Sequence, residues 1–246
     1  MTTMHLHYWP IIIFVSLCIF LKLNELTKKH RNYKKRKLDH SYYTNVVINL
    51  FISLGLFALI SCNYGFSNHL TPKLQNIIFY FMTTDALYYW IHRAIHKTPA
   101  LKQFFHFTHH EAFHLVPMDV YYISHQEHIL YLMIIFTLPL LFVHPNFMEY
   151  VAILLISLWH ACYTHSEIKD NFPIPLFINS KYHKKHHKIG GGNYSIFFNI
   201  WDEYMGSNIK SNTPPPQQPQ QPPPQQPQQP QPKNKKQTKI KKQKKQ

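Results

Sequence analysis

The chain has 246 residues, of which 26 are Lys or Arg and 11 are Asp or Glu, for a formal net charge of +15. Its length fits one domain with appendages, and its 45% hydrophobic and 15% aromatic content describes a strongly apolar body. Eight of the lysines and none of the acids lie in residues 211–246, and two basic zones with apolar stretches between them point to a membrane surface and away from nucleic acid. Cys18, Cys62 and Cys162 lie in or beside apolar runs without CxxC spacing, which argues against a disulfide framework and for buried thiols.

Residues 8–23 are almost all apolar, and residues 1–7 carry no Lys or Arg. A signal peptide would carry its positive charge first. Here the charge follows, at Lys22, Lys28, Lys29, Arg31, Lys34, Lys35, Arg36 and Lys37. That order predicts a membrane anchor with its N-terminus outside and its basic flank in the cytosol. Further apolar runs at 45–62 and 74–91 predict two more spans, the second holding Asp85. A carboxylate inside a span is a functional candidate or an interfacial hydrogen-bond partner. Residues 92–128 are too polar to span and are broken by Pro99 and Pro117. Runs at 129–143 and 147–163, joined by His144-Pro145-Asn146, read as a helical hairpin whose first arm Pro139 kinks. Five crossings that start outside end inside, so residues 92–128 and everything after 163 face the cytosol. Two re-entrant segments in place of the last two crossings give the same sidedness.

Residues 213–232 are Pro and Gln apart from Thr213, a composition that is extended and buries no core. The Lys-rich end, Lys242-Gln243-Lys244-Lys245-Gln246, has lysines third and fifth from the terminus. It reads as a solvated tail or as a dilysine-type retrieval signal.

The chemistry sits in three histidine bursts: His92-Arg93-Ala94-Ile95-His96, His106-Phe107-Thr108-His109-His110 and His183-Lys184-Lys185-His186-His187. Residues three and four apart share one face of a helix, so each burst aims its imidazoles one way. Neutral imidazole suits iron, zinc, copper or nickel. Eight rings on one side of a membrane are too many for one ion and about right for two. With 19 His in the chain, one such pair could be coincidence; three bursts beside apolar segments are not. No GxGxxG or GxSxG element is present, nor the paired ExxH of soluble di-iron bundles. Such a site suits oxidation of a bilayer lipid, because an unactivated C–H bond needs an oxygen-activating cofactor and zinc has no redox chemistry. The chain has no reductase module, so electrons must come from a partner, and the basic segments 28–37 and 181–188 would attract an acidic one.

From Asp85 to Ser207 the sequence resembles the fatty acid hydroxylase / sterol desaturase superfamily of membrane non-heme di-iron oxidases. Asp85 with Tyr89-Trp90-Ile91-His92 through His96 resembles its first box, and His106 through Glu111 its second. His183 through His187, with Asn193-Tyr194, Trp201-Asp202 and Gly206-Ser207, resembles its third. His165-Ser166-Glu167 resembles the family's HSG element with Glu for Gly. Ser124-His125-Gln126-Glu127 resembles its AHPxE element without the Pro and with the Glu one residue early. The resemblance implies His92, His96, His106, His109, His110, His125, His165, His183, His186 and His187 as metal ligands. It also implies supporting roles for Asp85, Glu111, Asn193, Tyr194, Trp201 and Asp202, with His114, His128 and His160 structural or supporting.

The expected fold is all-α, a polytopic membrane bundle of four to five spans under a cytosolic His-rich cap. An anchor (1–44), a hydroxylase/desaturase domain (45–210) and a disordered tail (211–246) would divide the chain. The resemblance further implies two iron ions, O₂ as co-substrate, endoplasmic-reticulum residence and electrons from NAD(P)H through cytochrome b5. Gly190-Gly191-Gly192-Asn193-Tyr194-Ser195 leans toward the sterol C4-methyl oxidase and 25-hydroxylase branches, with fatty acid or sphingoid hydroxylation as the alternative. Two other readings remain open, a membrane zinc transporter and an inactive lipid-binding relative.

Overall fold

The computed structural model describes residues 9–30, 38–69, 71–112, 114–166 and 176–209. The Pro/Gln- and Lys-rich tail, its dilysine-like end, Glu167 and Arg31 to Lys37 lie outside the described residues. Among those described, the chain is all-helical, with a single isolated bridge between Phe177 and Phe198 as its only extended pairing.

Helix α1 (Trp9–Lys29) is followed by α2 (His40–Asn63), which Asp39 caps by accepting the Tyr42 N–H at 3.1 Å. The 24 residues of α2, at about 1.5 Å per residue, exceed the ~30 Å hydrocarbon thickness. Val47, Ile48, Phe51 and Leu59 point outward from it and are exposed. Helix α3 (Leu74–Lys97) is two-faced. Leu74, Ile78, Phe79, Met82 and Trp90 are exposed, whereas Thr84, Asp85, Tyr88, Tyr89 and His92 are buried at three- and four-residue spacing. Helix α7 (Phe147–Thr164) starts in a reciprocal cap: Asn146 Oδ1 accepts the Glu149 N–H at 2.7 Å, and Glu149 accepts the Asn146 N–H at 2.8 Å. Among the described residues, α2 and α7 are long and apolar enough to cross a membrane.

The run expected at 129–143 is not one regular helix. Helix α6 (His125–Leu132) passes into a π turn, Met133–Thr137, and then a 3-10 turn, Leu138–Leu141. Pro139 has no N–H to give, and its ring crowds the carbonyl four residues back, which the widened turn accommodates. The first two histidine bursts are joined by another irregular reversal. Pro99 opens α4 (Pro99–Leu101), a π turn covers Lys102–His106, and α5 (Phe107–His110) follows. Helix α8 (Ser180–Ile189) begins on Asn179, which accepts the Tyr182 N–H at 2.8 Å, and ends on Gly190 at φ 67°. A strap from 190 to 209, containing α9 (Ile200–Tyr204), closes the described chain.

Two clusters tie the helices together. Phe57, Tyr80, Phe81, Tyr150, Ile153 and Phe197 join α2, α3, α7 and the strap. Leu23 of α1 packs with Tyr42, Val46 and Met118, and the Met118 N–H reaches Thr27 Oγ1 at 3.1 Å. The expected N-terminal anchor is therefore packed into the body.

Candidate metal centre

Three buried polar side chains shape the strap. Asp85 Oδ1 accepts the N–H groups of Phe197 at 2.8 Å and of Ile196 and Phe198 at 3.3 Å. Asp202 accepts the N–H of Tyr194 at 2.9 Å, the N–H of Ser195 at 2.8 Å and the Ser207 hydroxyl at 2.7 Å. Asn193, at φ 57°, accepts the Ile209 N–H at 2.7 Å and donates to Tyr182 O at 3.0 Å. A Cβ on Gly192 would lie 2.4 Å from Ser207 O, so only glycine allows the strap to close there. Trp201 stacks on Tyr89 with ring centroids 5.9 Å apart.

The strap presents two carbonyls to the histidines. His92 donates Nδ1–H to Tyr194 O at 2.7 Å, and His186 donates Nδ1–H to Gly192 O at 2.8 Å. His165, at the end of α7, donates Nδ1–H to Ala161 O at 2.8 Å, and His110 to His187 O at 3.3 Å. His106 Nδ1 pairs with the buried Glu127 carboxylate and lies 3.2 Å from the Tyr131 hydroxyl. A carbonyl can only accept, so His92, His186, His165 and His110 carry their protons on Nδ1 and their lone pairs on Nε2. This is the arrangement in which a metal-binding histidine is oriented from behind.

The lone pairs converge in two places. The ring nitrogens of His92, His96, His106 and His186 fall within 4.8 Å of one another, as do those of His109, His165, His183 and His187. Within the first group, Nε2 of His92 lies 3.0 Å from that of His106 and 3.2 Å from that of His96. Within the second, His183 Nε2 lies 3.3 Å from His165 Nε2 and 3.1 Å from His187 Nε2. Nitrogens bound to one ion at about 2.1 Å sit about 3.0 Å apart at a right angle and about 3.4 Å apart at the tetrahedral angle. The four separations fall in that range. His110 lies between the groups, with Nε2 3.0 Å from His106 Nε2 and its ring 4.9 and 5.0 Å from those of His186 and His187. His186 Nε2 is buried without a hydrogen-bond partner among the described residues.

Burial, reinforced by neighbouring imidazoles, holds His92, His96, His106, His109, His110, His183 and His187 far below the usual histidine range. Burial lowers His186 to about 4. The rings are neutral at physiological pH, the form that binds metal. Two adjoining, nitrogen-rich groups therefore fit two ions of a borderline transition metal.

Nine of the ten expected ligands are thus brought together, and His125 is not. Its Nδ1 lies 2.7 Å from Asn49 Oδ1, which turns the ring toward α2. Glu111 is exposed at the end of α5, and the carboxylate behind the histidines is Glu127. The sequence offered Glu127 only as the Glu of the Ser124-His125-Gln126-Glu127 element, and on α6 it shares with Tyr131 the face that meets His106. His114 is exposed. His160 is buried and donates Nε2–H to Ile178 O at 3.0 Å, and His128 meets Ser53 Oγ at 2.8 Å.

An apolar cavity of about 350 Å³ adjoins the second group, and His109, His165 and His183 form part of its wall. Its other walls come from α1, α2, α6 and α7, with Tyr88 of α3, Val120 and Tyr121, and Ser195 to Phe197 of the strap. The volume lies within the ~300–1,000 Å³ of small-molecule sites.

The sequence profile of the fatty acid hydroxylase family matches residues 77–207, just over half of the chain. A methylsterol monooxygenase of Aspergillus fumigatus is 29% identical over 141 residues, 53% of this chain and 46% of that protein. A lathosterol oxidase of Rattus norvegicus is 29% identical over 157 residues, 58% of this chain and 48% of that protein. A very-long-chain aldehyde decarbonylase of Oryza sativa subsp. indica is 25% identical over 212 residues, 81% of this chain and 78% of that protein. The chain thus spans about half the length of the sterol-oxidising relatives it matches. No solved structure matches it.

Proposed function

The chain belongs to the fatty acid hydroxylase family, and from that premise we propose that it is a membrane-embedded oxidase acting on a C–H bond of a lipid, using O₂ and electrons supplied from outside. The observation that carries the reading is the pair of histidine groups beside a lipid-sized apolar cavity. His92, His96, His106, His110 and His186 would hold one iron, and His109, His165, His183 and His187 the other. When bound, the irons supply the oxygen activation that side chains lack.

The chain's own residues do the rest. Tyr194 O, Gly192 O, Ala161 O and Glu127 fix the tautomers and aim the rings. The apolar cavity wall holds the lipid and excludes water, which protects an oxidant from wasteful side reactions. Tyr131, within reach of His106, lies in the cavity wall and links that wall to Glu127.

Two sterol-oxidising relatives favour a sterol substrate. An acyl-chain substrate is the second reading, favoured by the greater coverage of the aldehyde decarbonylase. We place the protein in the endoplasmic-reticulum membrane with five crossings, its histidine face and C-terminus cytosolic. Electrons would come from NAD(P)H through an acidic carrier such as cytochrome b5, docking near Lys181, Lys184, Lys185 and Lys188 of α8. Residues 45–210 form the oxidase body, with 211–246 as a solvated tail. A zinc transporter would place ligands nearer mid-membrane, often with acids; here they gather at helix ends.

The test compares sterols, sphingolipids and acyl lipids by mass spectrometry in cells lacking the protein. Rescue uses wild type and His186→Ala/His187→Ala. One lipid should accumulate an oxygen or a double bond short, and only wild type should clear it. An unchanged lipid profile, or rescue by the double variant, overturns the oxidase.

A further inference from the structure

Two buried tyrosines beside the first histidine group lead into the apolar cavity. The rings of Tyr88 and Tyr131 lie 5.0 and 6.5 Å from that of His92 and 5.1 Å from each other, and both line the cavity. A second set of rings leads the other way. Tyr194 is buried, with its ring 5.2 Å from that of His96, 5.9 Å from His92 and 6.0 Å from His186. The buried ring of Tyr89 lies 6.4 Å beyond it. Trp201 stacks on Tyr89 at 5.9 Å, Trp90 meets Tyr89 edge-on at 5.4 Å, and the two indoles are 6.1 Å apart. Trp90 is 48% exposed and Trp201 partly exposed. Four rings thus run from the first group to the surface, and none of them lines the cavity.

Tyr89 also has a path for its proton. Ser207 Oγ–H donates to Asp202 Oδ1 at 2.7 Å. A hydroxyl has one hydrogen, so at 2.8 Å Ser207 accepts from the Tyr89 hydroxyl. Arg93 Nη1 donates to the same phenol oxygen at 2.5 Å. The phenol therefore points its hydrogen through one serine at a carboxylate, while a guanidinium holds its oxygen. Phenol and indole are, with thiols, the side chains that give up an electron most readily. A phenol does so more easily still when its proton can leave along a hydrogen bond. Tunnelling between rings weakens steeply with the gap, which neighbouring rings keep small.

We propose that Tyr194, Tyr89, Trp201 and Trp90 form an outlet that carries oxidising equivalents from the first histidine group to the surface when no lipid is bound. The proposal rests on the lipid-oxidase reading and adds a protective function to it, because an oxidant left without substrate turns to side reactions. Each passage moves one electron inward. Tyr89 loses an electron through the Tyr194 ring toward the histidines, while its proton shifts to Ser207 and the Ser207 proton to Asp202. Trp201 or Trp90 then refills Tyr89, the protons return, and a soluble thiol refills the indole. Two passages oxidise two thiols to one disulfide. The oxygen atom that no lipid accepted leaves as water with the two protons the thiols release.

The full-length protein is loaded with ferrous iron in detergent, with no lipid added, and exposed once to O₂. Freeze-quenched samples are read by electron paramagnetic resonance, and oxidised residues are mapped by peptide mass spectrometry. Wild type should show a tyrosyl or tryptophanyl radical, and stable oxidation should collect on Trp201 and Trp90. Glutathione should lower the yield of oxidised indole. Trp90→Phe/Trp201→Phe keeps rings that do not readily give up an electron, and oxidation should move severalfold toward peptides holding Tyr88, Tyr131 and the histidine bursts. Trp90→Tyr/Trp201→Tyr should restore the protection, which a packing role would not do, since Phe and Tyr fill nearly the same space. Tyr89→Phe, which removes only the hydroxyl, should behave like the double Phe variant. Yields are taken per bound iron, so that lost folding or lost metal is not mistaken for a lost outlet. Oxidation that stays on the histidine peptides in wild type, or equal patterns in the Phe and Tyr double variants, overturns the proposal. So does slower iron reduction in the double Phe variant with an unchanged oxidation pattern, which would make the rings an inlet for electrons. Iron that does not react with O₂ overturns the oxidase reading and the outlet with it. O₂ consumption with both indoles unmodified and no radical sinks the outlet alone.

Discussion

The two histidine groups are built differently. In the first, His92, His106 and His186 are each held from behind by Tyr194 O, Glu127 and Gly192 O respectively. Two of these props belong to the strap, which Asp85 and Asp202 pin from separate helices. In the second, His165 alone has such a carbonyl behind it, Ala161 O, and His109, His165 and His183 line the cavity; each group also has one buried Nδ1 without a partner among the described residues, that of His96 and that of His187. One group is clamped by the protein, and the other faces the space where a lipid would lie. On the proposed reading the first group would chiefly hold its ion and the second would meet the lipid, although their ligand chemistry is the same.

The most disruptive way to test this contrast removes one ring from each group. His186→Ala/His187→Ala should drop bound iron from two ions per chain to below one and abolish turnover, read by elemental analysis beside lipid product. Full iron content in that variant would show that the rings do not ligate. A finer cut is Glu127→Gln, which keeps an acceptor for His106 Nδ1–H and removes the carboxyl group. Loss of such a supporting carboxylate costs about 10–100-fold in metal affinity or activity. The loss should fall on one iron of the two, and an equal loss of both would erase the distinction between clamped and open groups.

Acid should act on both groups before metal is added. Folded His186 titrates at about 4, whereas an unfolded histidine titrates near 6.5. Between those values the unfolded chain binds protons that the folded chain refuses, so stability falls as pH drops through that window. The metal-free protein should lose thermal stability steadily from pH 6.5 toward 4, and iron should suppress the loss because it binds only the folded, neutral rings. A flat melting temperature across that range would mean that the rings are not buried neutral.

Much of this was legible in the residues. Burst spacing marked every histidine of the two groups except His165, which only the family resemblance offered, and apolar runs at 45–62, 74–91 and 147–163 lie within α2, α3 and α7. The supports were harder to read. Gly192 O and Tyr194 O are backbone carbonyls, which every residue carries, so no side-chain pattern marks them. Asp85 stood out as a carboxylate among apolar residues, but its partners lie more than 110 positions away. Residues 8–23 read as a membrane anchor, with no hint of what it packs against, because hydropathy reports length and polarity, not contacts. Only the fold shows Ile19, Phe20 and Leu23 lining the cavity.

The smallest expected effect concerns the residue that motif similarity picked out and geometry did not. His125 opens α6 beside Glu127, and its Nδ1 faces Asn49 Oδ1 at 2.7 Å. Asn49 also donates to Tyr121 O at 2.8 Å and Ile123 O at 2.9 Å, so it holds its place without the ring. His125→Ala should therefore cost about 1 kcal/mol of stability, the worth of one hydrogen bond, and leave iron content at two per chain. The element surrounding His125 then acts through its glutamate, and the contrast with Glu127→Gln becomes the test. If His125→Ala loses iron while Glu127→Gln keeps it, the ring swings into the second group on metal binding, and that group is less open than its cavity makes it.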